Sequence, residues 1–261
     1  MQYMRLTGLF FRMSLLNELQ YRTNFVVQIF QTALELLVAL GGLTIVYSHT
    51  DDLNGWTAPE LLTILGVYFL IGGFVNVFIQ PSMVRLMDDV HRGTLDFTLL
   101  KPIEAQVIVS VREVQLWKLV NIIVGVVLLT IGLAQFGARV GLIEVMAFAG
   151  MLVSGLLIVY SFWLILTTLA FWLTRIDNIL VIFESMYEAG RYPIRIYPGW
   201  LQFTLTFLVP IVFAVTVPAE ALLGRLTPNT LVSAFAIAIF MLIVSRVFWQ
   251  EGLRHYSGAS A

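Results

Sequence analysis

The sequence predicts an all-α integral membrane protein with six transmembrane helices, and three observations carry that reading. Hydrophobic residues fill 59% of the 261 positions and charged residues only 12%, whereas a soluble domain of this size carries about a quarter charged. The apolar residues gather in runs of about 20, the length of a spanning helix rather than of a barrel strand of about 10. Lys and Arg are unevenly shared between the connections, as they are on the two sides of a membrane.

The elements follow in order. In residues 1–24, Arg5, Arg12, Glu18 and Arg22 interrupt the chain and argue against a cleaved leader. Leu6, Leu9, Phe10, Met13 and Leu16 form one apolar stripe, so this segment reads as a helix lying in the membrane surface. The first span is Phe25–Tyr47 and the second Thr57–Ile79. The link Ser48–Trp56 has no Lys or Arg, while residues 80–116 hold Arg85, Arg92, Lys101 and Arg112. The positive-inside rule therefore places the N-terminus and this longer loop in the cytoplasm of a multi-pass inner-membrane protein. Within the loop, Met83, Leu86, Met87 and Val90 repeat at helical spacing, with Pro81 suited to the first turn and Gly93 to the stop. Thr94–Leu100 reads as an extended link, and Ile103–Leu116 as a second amphipathic helix running into the third span, Trp117–Phe136.

The fourth span, Leu142–Leu173, would be roughly 48 Å long against a ~30 Å hydrocarbon core, so it must tilt, kink or project. Residues 177–223 admit two readings. Either Trp200–Leu223 crosses despite Pro210 and Pro218, or a short span over Asp177–Arg191 precedes a segment that dips into the outer leaflet and returns. The last span is Asn229–Trp249 in both, and both leave the two termini in the cytoplasm.

Several classes are excluded. There is no cysteine, the three histidines are scattered, and the net charge of −1 offers nothing to nucleic acid. Only Lys101 and Lys118 are lysines and neither sits in a phosphate loop, while no hydrolase motif or catalytic carboxylate pair is present. Catalytic, cofactor and metal residues are thus expected to be none, and energy must come from an ion gradient or a separate subunit. Glu35 stands in the middle of the first span, where a bare carboxylate costs on the order of 3 kcal/mol. It is a candidate lining residue of a translocation path, or else a hydrogen-bonded carboxyl that fixes packing. Glu184 and Glu188, one turn apart with Arg191 beyond them, are further path candidates, or an ion-pair face at the membrane surface. An ion-coupled secondary transporter or channel is the alternative class; the scarcity of intramembrane charge and the lack of an inverted repeat speak against it. A membrane scaffold that moves nothing is a third.

Three stretches carry a resemblance. Arg92-Gly93-Thr94-Leu95-Asp96-Phe97-Thr98-Leu99-Leu100-Lys101-Pro102 matches the form R-G-T-L-D-x-x-L-L-K-P; Arg191-Tyr192-Pro193 through Ile196-Tyr197-Pro198 and Trp200-Leu201, then Leu205-Thr206-Phe207, Pro210, Pro218-Ala219 and Leu222-Leu223-Gly224, is the second; and Gly252-Leu253-Arg254-His255-Tyr256-Ser257-Gly258 is the third. The chain resembles the permease subunits of type-two ATP-binding-cassette exporters, in the branch with that cytoplasmic loop. The resemblance implies a second permease, identical or different, and a pair of ATPase subunits that bring ATP and Mg. It implies a coupling helix over Pro81–Arg92, with Met83, Arg85, Leu86, Met87, Asp88, Asp89, Val90 and Arg92 docking the ATPase. It also favours the re-entrant reading of Tyr192–Leu223, and an amphipathic or lipid-like substrate.

Overall fold

The backbone of a computed structural model is organised around one helix of 34 residues, Ala58–His91, that is unbroken from end to end. The described residues are 22–137, 140–173 and 177–256; the expected surface helix over residues 1–24 falls almost wholly outside them. Among the described residues every regular element is helical. The order is α1 (Arg22–Tyr47), α2 (Ala58–Phe74), α3 (Gln80–His91), α4 (Asp96–Leu99), α5 (Ala105–Val111), α6 (Leu119–Phe136), α7 (Leu142–Thr168), α8 (Asp177–Glu188), α9 (Gly199–Phe203), α10 (Ile211–Ala214), α11 (Thr216–Leu222) and α12 (Pro228–His255). This is an all-α membrane protein: among the described residues five helices are long and apolar enough to cross a bilayer, and one pair of shorter helices, Gly199–Leu208 and Ile211–Leu222, is long enough only when taken together and is bent by 69°.

α2 is the core. Its N-terminus is closed by a capping box in which Glu60 accepts from Thr57, and Pro59 occupies the first turn. α6 crosses it at very short range. Gly66 and Gly73 on α2 lie against Leu129 and Ile122 of α6, Gly125 and Gly132 on α6 lie against Leu70 and Thr63 of α2, and a Cβ added at any of the four would run into the opposite helix. Small residues at this spacing let two apolar helices touch through their backbones where lipid offers no hydrophobic incentive to associate. α7 packs α10, α11 and α12, with Gly155 against the backbone of Ala214. α1 stands apart: only 6% of its most apolar window is buried within the chain. Phe25, Phe30, Leu34, Leu37 and Val38 are all exposed along it.

α2 does not end where the polar loop begins. A single wide π turn, Val75–Ile79, carries it into α3. Pro81 has no N–H to give to Val77 O four residues back, and that carbonyl accepts from Gln115 instead. α3 is therefore an extension of the second spanning helix and not a separate surface helix, a correction to the sequence reading. Two further corrections follow nearby. Thr94–Leu100 is not extended, since it contains the helix α4. The amphipathic helix over Ile103–Leu116 does not run into the third span: α5 stops at Val111, and the chain folds back so that Gln115 N donates to Val77 O at 3.0 Å.

The two ends of the molecule are distinguished by contacts. The turn after α1 uses left-handed Asn54 (φ 56°) and Gly55 (φ 88°). Asn54 donates to Arg195 O at 2.8 Å, and Arg225 donates to Gly55 O at 2.9 Å while pairing with Glu60 at 2.5 Å and covering the Trp56 ring at 4.6 Å. Residues 195 and 225 thus lie at the same end, and the bent pair between them leaves that end and comes back to it.

Candidate functional site

Glu35, Lys118, Glu184, Glu188 and Arg191 converge on one cavity of about 270 Å³ between α1, α2, α6 and α8. On α1, Gln28, Gln31, Thr32 and Glu35 recur at i, i+3, i+4 and i+7, which places them on one face. Thr32, buried, donates to Asn121 Oδ1 of α6 at 2.6 Å and is the main polar tie between α1 and the bundle; Gln28 Nε2 donates in turn to Thr32 at 3.1 Å. α2 supplies Tyr68, the π turn supplies Asn76, and Gln80 follows just beyond it. α8 supplies Glu184 and Glu188, with Arg191 in the turn after it.

The charges are linked across helices. Gln80 Nε2 donates to Glu184 Oε1 at 2.6 Å, and its Oε1 accepts from Lys118 Nζ at 3.3 Å, so one amide joins three elements. Arg191 lies 3.7 Å from Glu188 and over the face of Tyr68 at 5.2 Å. Tyr187 fixes the wall behind them: its ring stacks on Tyr68 at 4.9 Å, its hydroxyl donates to Tyr68 O at 2.9 Å, and Gly72 leaves room for it. Glu35 makes no hydrogen bond and no ion pair among the described residues, and it is exposed, as are Gln31, Glu184 and Glu188. The cavity opens on the side of α1 and α8.

The three carboxylates that the sequence singles out therefore line one cavity. What sequence reasoning missed is the amide and cationic half of that lining: Gln28, Gln31, Asn76, Gln80, Lys118 and Asn121. The signal was present in α1, where polar residues at helical spacing interrupt an otherwise apolar face. It was not present in Asn76 and Asn121, which stand singly in their spans and are brought together only by packing.

The loop expected to dock a partner is arranged differently from the expectation. Met83 and Leu86 have no exposed surface and Met87 only 3%; all three belong to the chain's own core, with Thr167 of α7 donating to Met83 Sδ at 3.5 Å. Asp89, 4% exposed, is consumed by Arg112 at 2.6 Å, Arg85 at 3.5 Å and the Thr94 hydroxyl at 2.9 Å. Val90 is half-buried against the same core. The apolar stripe is thus not available to a partner, and of the eight named residues Arg85, Asp88 and Arg92 keep accessible side chains. Beyond them Gly93 turns the chain at φ 67°, and Thr94 and Leu95 donate back to Asp89 O. This presents α4 at the tip, with Leu95 and Thr98 inward and Phe97 (72% exposed) and Leu100 (82% exposed) outward. Arg92 and Lys101 flank Phe97 around a shallow pocket that also reaches Arg112.

A family model described as "ABC-2 family transporter protein" matches residues 33–260. No curated protein matches the chain. No solved structure matches it either.

Proposed function

Since the chain belongs to the ABC-2 family of transporters, in which the membrane permease pairs with an ABC ATPase subunit, we propose that it exports an amphipathic solute from the cytoplasm with ATP hydrolysed in that partner. The observation that carries this is the cavity. It sets three carboxylates and two cations among apolar helices, and it is open on the side where α1 is unsupported. Carboxylates facing lipid cost on the order of 3 kcal/mol each, so that side is covered by a second permease, the two copies enclosing a water-filled path.

On this reading α8 with Arg191 is the fifth crossing. Glu184 within it meets Gln80, and Arg195 beyond it meets Asn54 at the opposite end of the bundle. The bent pair α9–α11 is then an outer re-entrant hairpin, and α3 to α6 begin on the cytoplasmic side, where Arg85, Arg92, Lys101, Arg112 and Lys118 gather. The ATPase docks on α4, through Phe97 and Leu100, with Arg92 and Lys101 at the rim.

The absence of cysteine makes the test direct. In the permease–ATPase complex in vesicles, Gln31→Cys reacts with a membrane-impermeant maleimide, and its labelling rate changes with ATP. Phe30→Cys, facing lipid, stays unlabelled. Equal labelling of the two, or rates indifferent to ATP, would refute an aqueous path at this face.

A further inference from the structure

The cavity's internal pairing singles out a ligand class, an inference that rests on the path proposed above. Five ionisable side chains other than tyrosines line it: Glu35, Glu184, Glu188, Lys118 and Arg191. Four of them are occupied. Glu184 and Lys118 are joined through Gln80, and Glu188 faces Arg191, which also covers Tyr68. Glu35 is left over, on the helix that is least held by the rest of the chain. A lone carboxylate in a half-enclosed site attracts a positive charge and repels a negative one.

The walls have a second property. Tyr68, Phe69, Phe183, Tyr187 and Trp163 give the cavity an aromatic lining, and aromatic faces attract cations that carry their own apolar body. Trp163 is 1% exposed, lines the cavity and packs edge-on against Phe183 at 5.1 Å, yet its indole Nε1 has no acceptor among the described residues. A buried donor without a partner is a costly thing to retain, and an acceptor on a bound ligand satisfies it.

We infer that the cavity selects an amphipathic organic cation, holding its positive charge against Glu35 and its apolar body against the aromatic wall, with an acceptor within reach of the Trp163 indole. Neutral and cationic amphiphiles share the same apolar contacts; only the cation gains from Glu35.

Two dyes with one xanthene skeleton separate the possibilities. Rhodamine 123 is a cation bearing an ester carbonyl, and fluorescein is an anion. In the reconstituted permease–ATPase complex, fluorescence anisotropy reads binding of each, and ATP-dependent movement across the vesicle reads transport. Rhodamine 123 binds and fluorescein does not. Glu35→Gln, which keeps the side chain's shape and breaks no hydrogen bond, weakens rhodamine 123 at least tenfold. Trp163→Phe, which keeps the ring, weakens it about threefold to tenfold. Glu251→Gln removes a carboxylate outside the cavity and leaves binding as it was. Equal binding of the two dyes, or an unchanged affinity in Glu35→Gln, overturns the inference. Rhodamine 123 binding that ATP fails to turn into movement would retire the transport reading and leave the cation site standing.

Discussion

Truncating Leu86 and truncating Leu100 should have opposite consequences, although both belong to the loop that was expected to dock a partner. Leu86 has no exposed surface and packs within the main core. Its conversion to alanine removes buried methyl groups and leaves a cavity, at a cost of about 2–5 kcal/mol. For a chain of this size that lowers the melting temperature by roughly 5–15 °C. Leu100 is 82% exposed, so Leu100→Ala changes the permease's own stability by no more than about 0.5 kcal/mol. If Leu100 is an anchor for the ATPase, however, its loss costs about 1–2 kcal/mol of association, a weakening of roughly 5- to 30-fold. The assay is a pair of measurements on each variant: thermal unfolding of the purified permease in detergent, and capture of the ATPase over a range of concentrations. Leu86→Ala should melt early and, below its melting point, still capture the ATPase. Leu100→Ala should melt normally and capture poorly. The reverse outcome, with Leu86→Ala stable but deaf to the ATPase, would mean that the stripe of Met83, Leu86 and Met87 faces a partner and that its packing on α7 is wrong.

Two other outcomes follow from packing. Gly125→Val places a branched side chain against the backbone of Leu70 and Gly66, and α2 and α6 cannot part without losing the core; loss of folded protein in fluorescence-detected size exclusion is expected, whereas Gly199→Ala, with open space around it, should be silent. Glu60→Gln removes the charge from a side chain that is 1% exposed and ion-paired to Arg225. It should cost about 2 kcal/mol, read as earlier unfolding, and Arg225→Gln should add little to it in the double variant if the pair acts as one unit.

The fold class was legible because composition and run length are properties of the chain alone. The burial of α3's stripe was not. Met83, Leu86, Met87 and Val90 show only that one face is apolar, and periodicity does not say whether that face meets lipid, a partner or the chain's own α7. The decisive fact is that α2 passes through its π turn without stopping, which keeps α3 beside α7; Pro81 reads in sequence as a start signal and in the fold as a tolerated passenger. α4 was missed for a related reason. Four residues have no periodicity to detect, and Asp96–Leu99 is helical because Gly93 and the Asp89 carbonyl set the chain's direction. The candidate site was half legible. Glu35, Glu184 and Glu188 stood out as charges in apolar surroundings, while their convergence depended on Gln80 and Lys118, which sit at span ends where polar residues attract no notice.

The uninterrupted run from Ala58 to His91 makes one stiff rod of about 50 Å. One end holds Glu60 and thereby, through Arg225, the root of the bent pair, its middle forms a wall of the cavity, and its far end turns directly into the tip. Such a rod transmits by leverage rather than by relay. A tilt of ~10° about its midpoint would shift each end by about 4 Å in opposite directions, with α6 forced to follow through the glycine contacts. Push at the tip and movement at the hairpin root would be simultaneous. The π turn is the single place along the rod where a change of register could lengthen or shorten the stroke.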